Sequence, residues 1–341
     1  MPSITGVSAR DDLPDPDGGG SLQGDSASAT GRGRLGDRLF CGAARGAGVL
    51  VIALVTLIAV FLLSQALPAL AKNGANFLTS TEWTVSGDNP RFGIANLLWV
   101  TIASSVIAMT IAVPVGVGVA LFVTQYCPAW LSKPAAALID LLAAVPSIVY
   151  GIWGAFVFGP HIVGLQTVLN KLLGWLPFFD NDTGSVGSSG TIFFVGIVLS
   201  IMVLPIVTAL SREVFDQTPI THKEGALALG ATKWEMIRTS VLPFGKPGVI
   251  SASMLGLGRA LGETVAVLII LSSLAADTKW SWSVFNGGET FASKIANNAA
   301  EFDSAQQTGA FIAAGLVLFI LTFIVNAIAR VVIERRKVFS E

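Results

Sequence analysis

Long apolar runs alternate with shorter polar segments over most of the chain. Six runs approach the roughly 20 residues that a helix needs to cross the hydrocarbon core of a bilayer. They predict transmembrane helices at residues 46–70, 93–124, 134–159, 191–211, 248–272 and 309–333. Pro114, Pro146 and Pro205 fall inside the second, third and fourth runs and are expected to bend those helices. The pattern therefore predicts an all-α membrane protein with six transmembrane helices.

The two ends of the chain have a different character. Residues 1–45 are rich in Gly, Ser, Asp, Pro and Arg and lack apolar periodicity. This predicts a disordered tail followed, at residues 34–45, by a basic segment near the membrane surface. Residues 46–333 form the predicted membrane domain, and residues 334–341 form a short polar tail.

Composition narrows the class of protein. Hydrophobic residues make up 52% of the chain and charged residues 13%, as in membrane proteins with several spans. The net charge of −1 gives no electrostatic reason to expect a nucleic-acid partner. Cys41 and Cys127 are too few and too far apart for a disulfide framework. His161 and His222 stand singly, so no metal site is predicted.

Lysine and arginine are distributed unevenly between the two sides of the predicted helices. With the amino terminus inside, 15 of the 21 Lys and Arg residues lie on the inner side, 5 lie on the outer side, and Arg259 lies within a helix. Because inner loops carry the excess of positive charge, both termini and the loop of residues 212–247 are predicted to be cytoplasmic. On the outer side, apolar positions between His161 and Leu176 recur with helical spacing and predict an amphipathic interfacial helix.

The cytoplasmic loop contains a polar stretch with two helix-start signals. Thr221 followed by Glu224, and Thr232 followed by Glu235, each have the spacing of a capping box. Gly230, between them, can adopt the left-handed conformation that closes a helix. The stretch is therefore predicted to form two short helices joined at a glycine corner.

This stretch resembles the EAA loop of ABC importer permeases, through which such permeases dock on a separate ATPase. The positions that match the family pattern are Glu224, Ala226, Gly230, Leu242 and Pro243. Pro243 is also expected to end the second helix. Gly225 and Ser240 depart from the pattern, at positions where alanine and an apolar residue are usual. The alternative interpretation is an ordinary capped hairpin between two membrane helices.

Two charged residues lie within the fifth predicted helix. Arg259 is near its middle and Glu263 follows four residues later, so an unbroken helix would let the carboxylate neutralise the guanidinium. A charge at mid-bilayer costs roughly 2.5 to 3.5 kcal/mol, so such residues usually face a partner or a water-filled path. Gly256, Gly258 and Gly262 leave room for an oxyanion beside the arginine, whose planar fork suits phosphate. The alternative is a structural ion pair on a tightly packed helix, with Gly258 and Gly262 at the contact.

Two motifs resemble those of the phosphate-specific (Pst) importer permeases. One is Gly256-Leu-Gly-Arg-Ala-Leu-Gly-Glu-Thr264, and the other is Leu138-Ile-Asp-Leu-Leu-Ala-Ala-Val-Pro-Ser-Ile-Val-Tyr-Gly151. With the EAA loop, the resemblance covers residues 92–330, and the first motif is similar to that of the C-type rather than the A-type subunit. The resemblance implies a type I ABC importer (MetI-like) permease fold, with Arg259 and Glu263 on the substrate pathway.

The function that the resemblance implies is transport within a complex. Such a permease lies in the bacterial inner membrane and gives inorganic phosphate a path. Its expected partners are a second permease of A type, forming a heterodimer, two copies of a cytoplasmic ATPase, and an extracytoplasmic phosphate-binding protein. A secondary anion transporter or channel is the alternative function.

The chain carries no nucleotide-binding loop of its own. The loop requires Gly-x-x-x-x-Gly-Lys followed by Ser or Thr, whereas Gly245-Lys246 is followed by Pro247. ATP and Mg²⁺ are therefore expected on the partner ATPase, and this chain is expected to bind no cofactor and to be no enzyme.

Overall fold

The computed structural model describes residues 30–87, 89–181, 185–272 and 280–337. Helices dominate these residues. In chain order they are α1 (Thr30–Ala71), α2 (Ala95–Leu121), α3 (Ala129–Ala143), α4 (Ser147–Trp153), α5 (Gly159–Leu173), α6 (Ile192–Asp216), α7 (Ile220–Ala228), α8 (Lys233–Met236), α9 (Leu242–Leu261), α10 (Val265–Ile270), α11 (Phe291–Asn297) and α12 (Ala305–Lys337). The expectations for residues 1–29 and 338–341 lie outside the described residues.

Shorter elements connect these helices. Single π-helical turns follow α2, α4 and α8, at Phe122–Tyr126, Gly154–Phe158 and Ile237–Val241. Short 3₁₀ turns lie at Ser185–Gly187 and Ala299–Glu301. Strands β1 (Trp83–Thr84) and β2 (Arg91–Phe92) pair antiparallel, with Trp83 opposite Phe92.

The predicted membrane helices are present with different bounds. Within the described residues, five helices are long and apolar enough to cross a membrane: Gly36–Ala71, Ala95–Tyr126, Ser147–Leu173, Ile192–Asp216 and Ala305–Val331. The fifth predicted helix, 248–272, is also helical, but it is divided between α9 and α10. The expectation of an all-α membrane fold is confirmed.

The first helix begins earlier than the apolar pattern indicates. α1 starts at Thr30, so the basic segment of residues 34–45 is helical and continuous with the apolar run predicted to start at residue 46. The chain divides after Ile58 into two compact units. In the first unit, apolar side chains of α1 such as Leu50 and Ile52 are exposed. A helix with apolar residues on all sides is suited to a lipid environment.

The centre of the second unit, from Ala59 onward, is built by α2, α6 and α9. α9 lies against α6 along a row of glycines, because an added Cβ would overlap an α6 side chain at each of them: Gly245 against Phe215, Gly248 against Val214 and Gly256 against Val203. Small residues of this kind let two membrane helices approach closely. The position of α9 is therefore fixed by direct contact with α6.

The third apolar run does not form one bent helix. α3 ends at Ala143, and α4 begins at Ser147 after Pro146, which has an extended conformation with φ −60° and ψ 140°. Because the residue before a proline disfavours the helical region, the interruption follows from Pro146. α4 then continues through Gly154–Phe158 into α5. The residues predicted as a separate interfacial helix therefore extend the membrane helix as far as Leu173.

The fifth apolar run is interrupted within its charged motif. α9 ends at Leu261 and α10 begins at Val265. At its other end, α9 continues from α8 through Ile237–Val241, so the prediction that Pro243 ends the second loop helix is wrong. A proline inside a helix crowds the carbonyl four residues earlier. Here that carbonyl belongs to Thr239, in the wider π-helical turn, which accommodates the ring. One helical path therefore runs from Lys233 to Leu261.

Candidate functional site

The two interrupted helices meet where the end of α4 and the π-helical turn after it pack along α10. A Cβ added at Gly151 would lie 3.0 Å from the Cα of Ala266, and one added at Gly154 would lie 2.9 Å from the Cδ1 of Ile270. These contacts leave no room for side chains between the two helices. The interruption between α3 and α4, at Pro146, and the interruption between α9 and α10, at Gly262, are therefore held next to each other.

Arg259 lies in the last turn of α9, two residues before the helix ends at Leu261. It is partly buried, and its Nε is inaccessible and has no hydrogen-bond partner among the described residues. The guanidinium is close enough to Tyr150 to act electrostatically on its hydroxyl group. That hydroxyl donates a 3.0 Å hydrogen bond to the carbonyl of Leu142. Arg259 therefore lies beside the interruption between α3 and α4.

Glu263 does not pair with Arg259. No described ion pair joins the two side chains. Glu263 is only 8% exposed, and its Oε1 accepts a hydrogen bond of 3.3 Å from the amide of Ala266, in the first turn of α10. The predicted pairing required an unbroken helix, and the helix ends at Leu261. The prediction that the carboxylate pairs with Arg259 is therefore wrong, and its partner is the amide of Ala266.

The glycines around Arg259 differ in their surroundings. Gly256 contacts α6, whereas a Cβ added at Gly258 would have no neighbour within 4 Å, and one at Gly262 would meet only the carbonyl of Gly258, at 3.5 Å. The alternative in which Gly258 and Gly262 form a close helix contact is therefore not realised within the described chain. The surface beside the guanidinium is open instead.

The coupling hairpin, residues 220–241, has the predicted glycine corner but only one of its two predicted caps. α7 begins at Ile220 after Pro219, without a side-chain cap, so the capping box predicted at Thr221 and Glu224 is wrong. Thr221 lies inside the helix because Pro219 already supplies an extended residue before its first turn. The carboxylate of Glu224 has no hydrogen-bond or ion-pair partner among the described residues, and it is exposed.

Gly230 closes α7 as predicted. Its φ is +85°, in the left-handed region that favours glycine. Its amide donates to the carbonyl of Leu227 at 3.0 Å, and the amide of Ala231 donates to the carbonyl of Ala226 at 3.2 Å. This pair of hydrogen bonds is the Schellman arrangement that satisfies the last carbonyls of a helix.

The second capping box is confirmed. The amide of Glu235 donates to the hydroxyl of Thr232 at 3.3 Å, and the amide of Thr232 donates to the carboxylate of Glu235 at 2.8 Å. The hydrogen bonds from the amide and hydroxyl of Thr232 lower the pKa of the Glu235 carboxyl. Lys233, the next residue, places its Nζ 4.8 Å from the ring centre of Tyr126. These local contacts start the helical path that leads to Arg259.

The hairpin buries one set of side chains and exposes another. Ala226 and Leu242 pack on a buried cluster of Ala120, Phe215, Met236, Ile237 and Val241. Glu224, Gly230 and Pro243 are exposed. The hairpin also exposes large apolar side chains, which we call the docking patch: Ile220, Leu227, Leu229 and Trp234, with Leu229 91% exposed. Sequence reasoning missed this patch, although apolar residues in an otherwise polar loop were a signal for it.

Irregular backbone at membrane depth is tolerated only where it is buried in protein or lines a cavity. Interrupted helices that meet beside an arginine without a described partner are an arrangement found in membrane transport proteins. The chain belongs to the family of binding-protein-dependent transport system inner membrane components, whose family model matches residues 112–338.

Curated relatives cover most of this chain. It is 55% identical over 300 residues to "Phosphate transport system permease protein PstC 2" of Mycobacterium tuberculosis, which covers 88% of this chain and 92% of that protein. It is 56% identical over 297 residues to the PstC protein of Mycobacterium leprae, with 87% and 92% covered. The PstC protein of Mesorhizobium japonicum is 37% identical over 307 residues, with 88% and 91% covered.

A solved structure has the same fold. A chain of the MetNI methionine ABC transporter, in an inward-facing conformation, aligns with a TM-score of 0.52 and 15% identity. The alignment covers 71% of this chain and 95% of that chain. The expectation of a MetI-like permease fold is confirmed.

Proposed function

We propose that this chain is the transmembrane permease subunit of an ATP-driven importer of inorganic phosphate, and that Arg259 lies on the path of the anion. The family membership and the names of the relatives support the first statement. The single observation that carries the second is the partly buried guanidinium of Arg259, which has no hydrogen-bond or ion-pair partner among the described residues and lies beside an open glycine surface.

The chemistry of this site suits a phosphate ion. A guanidinium offers several N–H donors in a rigid fork that matches two phosphate oxygens. The open surface at Gly258 and Gly262 lets an oxyanion reach that fork without meeting a side chain that the structure describes. The end of α9 also places its carbonyls near the arginine, which favours the cation in the absence of substrate. An anion bound here would pair with Arg259 only during its passage.

Glu263 has a supporting role in this proposal. Its carboxylate accepts from the amide of Ala266 and so completes the first turn of α10, which packs on Gly151. With the carboxylate held at α10, the guanidinium remains available to an incoming anion. Loss of Glu263 would therefore act on the pathway through the position of α10.

The coupling hairpin is the proposed contact with a separate ATPase, which would hold ATP and Mg²⁺. The docking patch exposes apolar side chains on a polar hairpin, and patches of this kind mark protein interaction sites. Glu224 lies in the same hairpin with its carboxylate free for a basic group of the partner. The complete importer would contain a second, A-type permease, two copies of the ATPase and an extracytoplasmic phosphate-binding protein.

Uptake by the assembled complex in lipid vesicles tests the proposal. We expect phosphate accumulation that requires ATP at the ATPase, and a fall of at least 100-fold with Arg259→Ala in a complex that still assembles. Arg330→Ala, at an exposed position of α12, is the matched control and should transport normally. Accumulation without ATP would favour a secondary transporter or channel, and normal uptake by Arg259→Ala would remove the arginine from the pathway.

We also propose that both termini and the coupling hairpin face the cytoplasm of the bacterial cell, as the distribution of Lys and Arg suggests. In a chain with Cys41 and Cys127 replaced by serine, a cysteine at Asn181 should react with an impermeant thiol reagent added to intact cells. A cysteine at Thr232 should react only after the cells are opened. Both positions are exposed, so access is not limited by the fold. The reverse labelling pattern would overturn this orientation.

A further inference from the structure

A cavity lies on the side of the helical path that joins the coupling hairpin to the membrane. Its volume is about 510 Å³, and its lining residues are Val117, Arg238, Leu242, Pro243, Lys246, Val249 and Ile250. Val117 belongs to α2, and the others come from α9 and the π-helical turn before it. The volume is in the range of pockets that bind organic ligands, roughly 300–1,000 Å³.

The lining has a charged end and an apolar end. Arg238, Leu242 and Lys246 are spaced four residues apart, so they follow one face of the helical path. Val249 and Ile250 continue that face into the apolar run of α9. At about 1.5 Å per residue, the face extends about 18 Å from Arg238 to Ile250. If the membrane helix begins at residue 248, as the apolar pattern predicts, the cations of this face lie at the membrane boundary and its apolar residues lie deeper.

Both cations are free to bind an anion. Neither Arg238 nor Lys246 forms a hydrogen bond or ion pair with any residue that the structure describes, and both are exposed. The lining contains no acidic residue. Two positive groups without a counter-charge give this end of the cavity a net attraction for a negative group.

We infer that this cavity binds an anionic phospholipid, with the phosphate of the headgroup on Arg238 and Lys246 and an acyl chain along Val249 and Ile250. Basic pockets between membrane helices on the cytoplasmic side have the charge to hold such headgroups. A free phosphate ion would use the cations but would gain nothing from the apolar lining residues. The ATPase would contact the docking patch, which shares no residue with the cavity, although Leu242 and Pro243 of the EAA-like loop belong to the lining. The inference does not depend on the substrate that the permease transports.

The consequence for the protein is a lipid-dependent step between the coupling hairpin and the membrane. An occupied cavity would tie Arg238, in the π-helical turn, and Lys246, in α9, to one headgroup. The lipid would thereby support the part of the helical path that includes Pro243 and the wider turn before it.

The test uses the full-length chain purified in a neutral detergent and titrated with dioctanoyl phosphatidylglycerol. Native mass spectrometry measures the bound lipid, and dioctanoyl phosphatidylcholine and inorganic phosphate serve as separate probes. We expect Arg238→Gln combined with Lys246→Gln to weaken phosphatidylglycerol binding at least tenfold. Lys223→Gln, a neutralisation in α7 outside the cavity, is the matched control and should bind as the unaltered chain does.

A second variant tests the apolar end while the cations remain. Val249→Phe fills the cavity with a larger side chain and should weaken phosphatidylglycerol binding without affecting any response to inorganic phosphate. A thermal unfolding curve shows whether each variant is folded, and the two lining cations are exposed, so their neutralisation should leave the fold intact.

Four outcomes would overturn the inference. Unchanged phosphatidylglycerol binding in the double variant would remove the cations from the site. Equal binding of phosphatidylcholine would indicate a lipid annulus without charge selection. Competition by inorganic phosphate at the same concentration as the lipid would indicate a site for the free anion. Loss of lipid binding when the ATPase is added would indicate that the cavity is a protein contact.

Discussion

The coupling hairpin and the interrupted end of α9 belong to one helical path, but they differ in how far their polar groups are hydrogen-bonded. In the hairpin, Gly230 and the Thr232–Glu235 pair satisfy the helix ends with hydrogen bonds between near neighbours in sequence. At the end of α9, Arg259 is left without a partner among the described residues, while Glu263 serves the next helix. The hydrogen bonds at the corner of the hairpin are thus made within the hairpin itself. The guanidinium of Arg259, in contrast, is left to bind another group.

This difference suits the two regions to different kinds of binding. A hairpin with satisfied ends can keep its shape while its apolar side chains face outward, as the docking patch does. An unpaired cation inside a membrane protein carries a free-energy cost of a few kcal/mol that an anion can relieve. The first arrangement is suited to a protein contact, and the second is suited to a passing ion.

After the loss of Arg259 itself, the largest effect is expected where the two interrupted helices touch. Gly151→Val should reduce phosphate uptake at least tenfold, because even a Cβ at this position would lie 3.0 Å from the backbone of Ala266 and the valine methyl groups would force α4 and α10 apart. The measurement is uptake by the assembled complex in vesicles. Gly164→Val is the control, since its Cβ position on α5 has no neighbour within 4 Å. Similar uptake by both variants would show that close contact of the two helices is not needed.

An intermediate effect is expected at the glycine corner of the hairpin. Gly230→Ala should weaken recruitment of the ATPase about fivefold, because a side chain in the left-handed conformation costs about 1 kcal/mol. Co-purification of the ATPase with the permease is the measurement. Gly225→Ala is the matched control, since both positions have open space and only Gly230 has a positive φ. If the two substitutions reduce recruitment equally, the backbone conformation at Gly230 is not the cause.

The smallest effect is expected from pH at the start of α8. The folded hairpin lowers the pKa of Glu235 below its unfolded value of about 4.3, so the carboxylate stabilises the hairpin above that pH. This stabilisation is lost as the pH falls through the lower pKa of the folded state. Amide hydrogen exchange should show protection factors in α8 that decline below about pH 4. In Glu235→Gln the decline should be absent, and a decline of equal size there would assign the pH effect to another group.

Local sequence signals predicted the hairpin in most respects. Gly230 closes α7 and the Thr232–Glu235 capping box forms, because both depend on residues only a few positions apart. The capping box at Thr221 failed because Pro219 starts the helix earlier. The termination at Pro243 failed because a π-helical turn accommodates the proline, and no short sequence pattern marks such a turn.

The geometry around Arg259 and Glu263 was not predicted from the sequence. Apolar composition cannot distinguish one membrane helix from two short ones, so the interruption between Leu261 and Val265 was not foreseen. The pairing of Arg259 with Glu263 then followed from an assumed continuous helix. Tyr150 was missed because its proximity to Arg259 depends on the packing of α4 against α10, between residues more than 100 positions apart.

The unbroken helical path from Lys233 to Leu261 connects the hairpin to Arg259 without a loop between them. At about 1.5 Å per residue, it places Arg259 about 39 Å from the end at Lys233. The glycine contacts of α9 with α6, from Gly245 to Gly256, hold this helix close to its neighbour between the hairpin and Arg259. A movement imposed on the hairpin would therefore have one continuous helix through which to reach the guanidinium.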